Sequence, residues 1–297
     1  MNRKLICEAQ YGITLSQRMN QTQSWLLAGP QTRAAAAVDI TATAQRPLLL
    51  QSVAMESSLV GGVIDSFKVA GQEVNVSNAS IPIGVFAPNS GGTSANQRVL
   101  GIAVNNNMTV QIQATQSGAG NCAFSIGCLP ITSDQVPSTS GQAAMYNYVA
   151  GLGETAAMAL GGGTGTLSCT ILRAVWLGEI AFTNQDTGTG LVPNDNIQLT
   201  DLLVNGLSLM AGASDQTVPM SHLVSTQSDT KGFRLGVYVP ANSTIEVKFT
   251  NQDPASTAVV GGAIFCEPFA APISGAYTGS SPHTAIKLPS ITAAKRG

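Results

Sequence analysis

The chain has 297 residues, enough for two average domains, and 44% of them are hydrophobic, so each half can bury a core. Charged residues make up 10%, well under the roughly 25% of an average soluble protein, and the net charge is −2. This balance excludes a disordered chain, which is charged and poor in branched apolar residues, and tells against a nucleic-acid-binding domain, which needs a clustered basic face.

Taken in order, residues 1–45 read as an N-terminal arm. They contain a short helix over Leu15–Leu27, ended by Gly29-Pro30, whose apolar residues form no clean stripe. Met1 to Tyr11 carries Arg3, Lys4 and Glu8 without an apolar core, so no secretory signal is expected and synthesis in the host cytoplasm is. Residues 46–131 and 168–270 read as strands separated by turn signals, the pattern of two tandem antiparallel β-sandwiches. Between them, residues 132–167 form a linker in which Gln142–Leu160 suits a helix and Gly161-Gly162-Gly163 a flexible join. Residues 271–297 form an extended Ser/Pro/Ala-rich tail. No stretch reaches the roughly 20 apolar residues that span a bilayer.

The two strand-rich regions repeat each other. Val99–Gln116 (VLGIAVNNNMTVQIQATQ) aligns without a gap with Arg234–Asn251 (RLGVYVPANSTIEVKFTN), 135 positions on. Leu100, Gly101, Val104, Asn107, Thr109 and Thr115 thereby fall on Leu235, Gly236, Val239, Asn242, Thr244 and Thr250. Phe67–Val74 matches Leu202–Leu209 at the same offset, and Ile81-Pro82-Ile83 matches Val218-Pro219-Met220. Ile126–Pro130 matches Ile264–Pro268, and Arg46–Met55 resembles Arg173–Phe182. Collinear matches of this kind indicate duplication. Apolar and polar residues alternate in Thr109–Thr115 and Thr244–Thr250, as in half-buried strands. Asn105-Asn106-Asn107 and Pro240-Ala241-Asn242 read as turns, because Asn tolerates the left-handed region and Pro presets φ. Gly71 and Gly206 mark tight hairpins at equivalent places.

No chemistry stands out against this background. The two histidines are His222, read as a surface or loop residue, and His283, in the tail. There is no GxSxG nucleophile string and there are too few histidines for a cupin-type metal site, so no catalytic, cofactor or metal residue is assigned. Asn184-Gln185-Asp186 and Asn194-Asp195-Asn196 are polar enough for Ca²⁺ but lack EF-hand spacing. Gly161–Gly165 lacks the Lys of a P-loop. Cys7, Cys122, Cys128, Cys169 and Cys266 are odd in number, without CxxC spacing, and read as small buried hydrophobes. Trp176 lies in a strand-like run and reads as core rather than as a sugar-stacking platform.

Soluble monomers usually carry about 25–35% charge on their surface, so a chain this neutral suits a surface covered by neighbouring subunits. Two similar sandwiches in one chain, an arm, a linker and low charge together resemble the double jelly-roll major capsid proteins of the tectivirus–adenovirus lineage, in its small corticovirus- and finnlakevirus-like form. The resemblance spans roughly residues 46–270 and is architectural. It implies a non-enzymatic virion protein that forms homotrimers of pseudo-hexagonal outline in an icosahedral bacteriophage shell. It also implies contact with further capsid proteins such as a penton or minor protein, and no sequence-specific nucleic acid. Basic residues at both ends, Arg3, Lys4, Lys287, Lys295 and Arg296, would then face inwards to a membrane or genome. Two rival readings fit the same composition: a trimeric spike or receptor-binding adhesin, and a secreted carbohydrate-binding sandwich.

Overall fold

The computed structural model describes residues 24–33, 37–57, 62–86, 98–115, 120–131, 144–145, 148–185, 187–188, 191–210, 217–223 and 233–268. Alternating side chains make strands wherever one face can be buried, and among these residues the regular structure is β-strand, with short 3-10 turns. The first half runs β1 (Ser24–Arg33), β2 (Ala37–Thr43), β3 (Leu48–Ser57), β4 (Val63–Val69), β5 (Gln72–Glu73) and β6 (Ile81–Pro82). A 3-10 turn (Ile83–Phe86) follows, then β7 (Arg98–Val104), β8 (Thr109–Thr115) and β9 (Gly120–Pro130). After β10 (Ala144–Met145) come β11 (Tyr148–Glu154), β12 (Gly163–Thr170), β13 (Val175–Gln185), β14 (Ile197–Val204), β15 (Leu207–Ser208) and β16 (Val218–Pro219). A 3-10 turn at Asn194–Asn196 leads into β14, and another (Met220–His222) precedes β17 (Phe233–Val239), β18 (Thr244–Asn251) and β19 (Val259–Pro268).

The strands form four antiparallel sheets in two facing pairs. Sheet 1a has the order β1-β9-β3-β7-β10 and faces sheet 1b, β2-β8-β4-β5 with β6 on β4. Sheet 2a has the order β11-β19-β13-β17 and faces sheet 2b, β12-β18-β14-β15 with β16 on β14. Apart from β10, each strand of the first pair has its counterpart in the second, in the same order. Within each half the chain alternates between the two sheets, except that β4–β6 and β14–β16 stay in one sheet, the connectivity of a jelly roll. Between sheets 1a and 1b lie Ile40, Leu50, Phe67, Ile102, Ile112 and Ile126; between 2a and 2b lie Leu167, Leu177, Leu202, Val239, Val247 and Ile264. Those in β8 and β18 alternate with exposed or half-buried partners, so sheets 1b and 2b turn one face to solvent.

Register carries the duplication further than residue identity does. Leu48 pairs with Val104 and Pro130, and Val175 pairs with Val239 and Pro268. The bulge between Leu50 and Ser52 recurs between Leu177 and Glu179, and that between Ile64 and Ser66 recurs between Leu199 and Asp201. Left-handed backbone recurs in matched pairs: Ala70 and Asn205 (φ 50 and 51°), Gly71 and Gly206 (78 and 77°), Gly101 and Gly236 (65 and 65°), Asn107 and Asn242 (64 and 65°). All four pairs stand 135 positions apart. Residues at φ > 0 are uncommon enough outside glycine for such agreement to mark one ancestral backbone used twice.

Four expectations need correction. The arm does not extend to residue 45, since β1 and β2 already belong to sheets 1a and 1b. From Ser24 onward the expected helix is strand; its earlier residues lie outside those described. Gly29-Pro30 falls at the register shift between Ala28 and Gln31, on an edge strand, where a proline without an N–H costs no ladder bond. Nor is there a helix over the described part of Gln142–Leu160. Ala144–Met145 joins the edge of sheet 1a and Tyr148–Glu154 is the edge strand of sheet 2a, so burial against β19 overrides helix propensity. Gly161 and Gly162 form a turn held by their N–H groups donating to Asp253 and Asn251 carbonyls, and Gly163 already opens β12, so this is no flexible join. Among the described residues the short helical pieces are 3-10 turns, at 83–86, 194–196 and 220–222.

Candidate assembly surface

Strands β13 and β19 are buried along almost their whole central length rather than on alternate residues. A strand buried on both faces needs a second cover besides its sandwich partner. That cover is the corner of the first sandwich, Ile81–Phe86. Phe86 meets Phe265 edge-to-face with ring centroids 5.9 Å apart, and Val149, Ala181, Ala263 and Phe265 on the outer side of sheet 2a join the first sandwich's core. Close approach is possible because glycines stand opposite the corner. A Cβ on Gly151 would lie 2.3 Å from the Ser80 carbonyl oxygen, and one on Gly261 2.7 Å from Pro82 Cγ.

Backbone bonds lock the same joint. Between β5 and β6 the chain runs beside β11: the Val76 N–H donates to the Val149 carbonyl (2.8 Å), and the Val149 N–H to the Val74 carbonyl (3.0 Å). Leu172 N–H donates to the Val76 carbonyl and Gly153 N–H to the Ser80 carbonyl. Buried polar side chains complete the set. Asn75 Oδ1 accepts from the Gly151 N–H at 3.1 Å, and the Ser77 hydroxyl donates to the Gly151 carbonyl at 2.7 Å. Neither Asn75 nor Ser77 stood out in the sequence, since nothing in their neighbourhood distinguishes them from loop residues.

The second sandwich carries the same corner, Val218–Leu223, without that cover. Ile81, Pro82 and Val85 are buried, whereas their counterparts Val218 and Pro219 are half-buried and His222 is exposed. Met220 and Leu223 turn into their own core. His222 is thus a surface residue, as expected of it; His283 lies outside the described residues. So do Arg3, Lys4, Lys287, Lys295 and Arg296, the residues expected to face inwards.

Trp176 is not core. It is 40% exposed on the outer side of sheet 2a, its ring 5.6 Å from that of Tyr238 (39% exposed), with Leu172 also exposed. In sheet 1a the register equivalents Leu49 and Ala103 are fully buried, so outer-face exposure is a matter of neighbours and cannot be read from strand alternation. The two loops considered for Ca²⁺ bond to each other: Asn184 Nδ2 donates to the Val192 carbonyl and to Asn194 Oδ1 (3.2 Å). Asn196 Nδ2 donates to Asp253. Their amides thus act as donors that fasten the β13–β14 connection. Among the described residues no group of three or more His, Cys, Asp or Glu is placed to hold a metal, and no helix is long and apolar enough to cross a membrane.

Cys128, Cys169 and Cys266 are buried. Burial pushes the Cys169 thiol up to about 12. It pushes Cys266 up as well, with nearby Cys169 adding to the effect. These thiols pack as small hydrophobes, as their sequence setting implies.

No protein-family profile matches the chain and no curated protein matches it. Among solved structures, the major capsid protein P2 from Bacteriophage PM2 is similar over 84% of this chain and 99% of that one, at 5% identity and a TM-score of 0.30. Likeness of that degree is too loose to carry an argument about function.

Proposed function

We propose that this chain is the major building block of a virus shell, a capsid protein that assembles with copies of itself. One observation carries the reading: two sandwiches of identical topology are joined by a contact between unlike surfaces, a corner of one against a face of the other. Such a heterologous contact leaves the corner of the second sandwich unused, and repetition of heterologous contacts between chains generates rings or open arrays. Three chains would close six similar sandwiches into a pseudo-hexagonal ring, and such rings tile an icosahedral lattice. The 10% charge content suits a surface that neighbours cover. Pentons or minor proteins would fill positions that a six-part ring cannot, and Arg3, Lys4, Lys287, Lys295 and Arg296 would face an internal membrane or genome.

Native mass measurement on the full chain tests this. Trimers and multiples of trimers are expected, with hexagonal outlines under the electron microscope. A chain that stays monomeric at high concentration refutes it. The exposed Trp176–Tyr238 pair supports a second reading, a carbohydrate-binding sandwich. That reading requires glycan-dependent quenching of Trp176 fluorescence, lost in Trp176→Ala.

A further inference from the structure

We propose that the C-terminal tail of this chain adds a fifth strand to sheet 2a, with Thr284–Leu288 pairing antiparallel along the outer edge of β17. The occupant is the chain's own tail, and the proposal goes beyond the shell reading without depending on it.

The first half supplies the precedent. There β10 pairs with β7 at Ala103 and Ile102 and closes that edge of sheet 1a. Among the described residues nothing pairs with the matching edge of sheet 2a, where β17 is the last strand. The register equivalents of Ala103 and Ile102 are Tyr238 and Val237. Ile102 and Ala103 are fully buried, whereas Val237 is half-buried and Tyr238 is 39% exposed. Val237 packs towards the second core and Tyr238 lies on the outer face, so this edge is more exposed than its counterpart on both sides. An edge strand presents a row of N–H and C=O groups to any extended segment, and apolar residues along it favour a cover.

Connectivity names the occupant. Strand β9 ends at Pro130, level with Val104 at the end of β7, and the chain later runs back along β7 as β10. Strand β19 ends at Pro268, level with Val239 at the end of β17, and the tail sets out from there. Thirteen residues separate Pro130 from Ala144 and sixteen separate Pro268 from Ala285, enough for the same return. The sequence matches too. Strand β10 sets Ala144 beside Ala103 and Met145 beside Ile102, and the tail offers Ala285-Ile286. The offset between halves is 135 through β8 and β18, 138 through β9 and β19, and 141 here, so the block is collinear with the rest of the repeat. In that register Ala285 stands opposite Tyr238 and leaves its ring room beside Trp176. Ile286 and Leu288 stand opposite Val237 and Leu235, both half-buried against the second core, and Lys287 falls on the outer face. Pro282 and Pro289 bound the run, as residues that donate no ladder bond should.

Hydrogen exchange on the unassembled full chain tests this. Amides in 284–288, and those of β17 that point away from β13, should exchange at least roughly tenfold more slowly than in an unstructured chain. Removing residues 282–297 should speed exchange of those β17 amides by a similar factor and leave β7 unchanged. Ile286→Asp should reproduce that loss, because it turns a charge towards the core, while Lys287→Asp should not. A run 284–288 that exchanges like an unstructured chain, or a truncation that leaves β17 as it was, overturns the proposal. So does protection that appears only as chains associate, which would give the edge to a neighbour's tail.

Discussion

The β4–β5 and β14–β15 hairpins have two-residue turns whose central residues both lie at φ > 0, the geometry of a type I′ turn. The second sandwich fills the first turn position with Asn205, but the first uses Ala70, a residue that gains nothing there. Asn205 also works with its side chain: Oδ1 accepts from the Thr244 N–H at 2.9 Å and Nδ2 donates to the Ser243 hydroxyl at 3.3 Å. Asn205→Ala therefore forfeits the left-handed tolerance of asparagine, about 1 kcal/mol, and a net hydrogen-bond contribution of about 1 kcal/mol. A loss of about 2 kcal/mol lowers the melting transition of a unit this size by roughly 5–10 °C. The mirror substitution Ala70→Asn should act the other way. It relieves about 1 kcal/mol of backbone strain and offers a partner to the Thr109 N–H, raising the transition by roughly 3 °C. Calorimetry on the parent and both variants measures this. Equal effects of the same sign would refute the equivalence of the two turns, and no loss in Asn205→Ala would refute the assigned hydrogen bonds.

Three other outcomes follow from the same geometry. Gly151→Ala puts a Cβ 2.3 Å from the Ser80 carbonyl oxygen, so the joint must open; limited proteolysis should then cut between the sandwiches, and an unchanged cleavage pattern would count against the joint. Phe86→Ala should destabilise by about 3–5 kcal/mol, and a double-mutant cycle with Phe265→Ala should return a coupling of about 0.5–1.5 kcal/mol in denaturant unfolding. Asp253 is held below its ordinary value near 3.8 by the Ala255 N–H, the Asn196 amide and the Ser256 N–H, in that order. A depressed carboxyl stabilises the fold above its unfolded pKa and ceases to do so as pH falls through the folded one, so Asp253→Asn should flatten part of the acid-unfolding limb below about pH 4. An acid limb identical in the variant would contradict the assignment.

Much of the fold was legible because turns write themselves in residue types. Gly71, Gly206, Asn107 and Asn242 are at the positions where the chain must enter the left-handed region, and their common offset exposed the duplication directly. Arg46–Met55 and Arg173–Phe182, the weakest match by eye, are register-equivalent through β3 and β13. What escaped were the first two strands of each half. In β1 a Gly-Pro bulge imitates a helix stop, and in β11 glycine and alanine replace the branched residues that usually announce a strand, because the β5–β6 crossing leaves no room for them. The docking corner was found as a repeat but not as a site. Ile81-Pro82-Ile83 and Val218-Pro219-Met220 are nearly the same peptide, and only the neighbouring sandwich distinguishes their exposure.

That asymmetry explains which features the halves share and which they do not. Left-handed turns, bulges and inward-facing residues are dictated by closing two sheets over a core, a demand each copy meets alone, and there the halves agree to within a degree of φ at several positions. Outer faces answer to neighbours, and there they differ: Phe265 against Gly127, Trp176 against Leu49, Gly151 against Leu27. A corner that no second sandwich covers is free to turn polar, since burial no longer favours apolar residues there. In part it has: Ser221 and His222 stand where the first corner has Gly84 and Val85, Val218 and Pro219 are half-buried, and Met220 and Leu223 stay apolar because they pack in their own core. The uncovered corner thus follows its surroundings residue by residue, polar where it meets solvent and apolar where its own core still covers it.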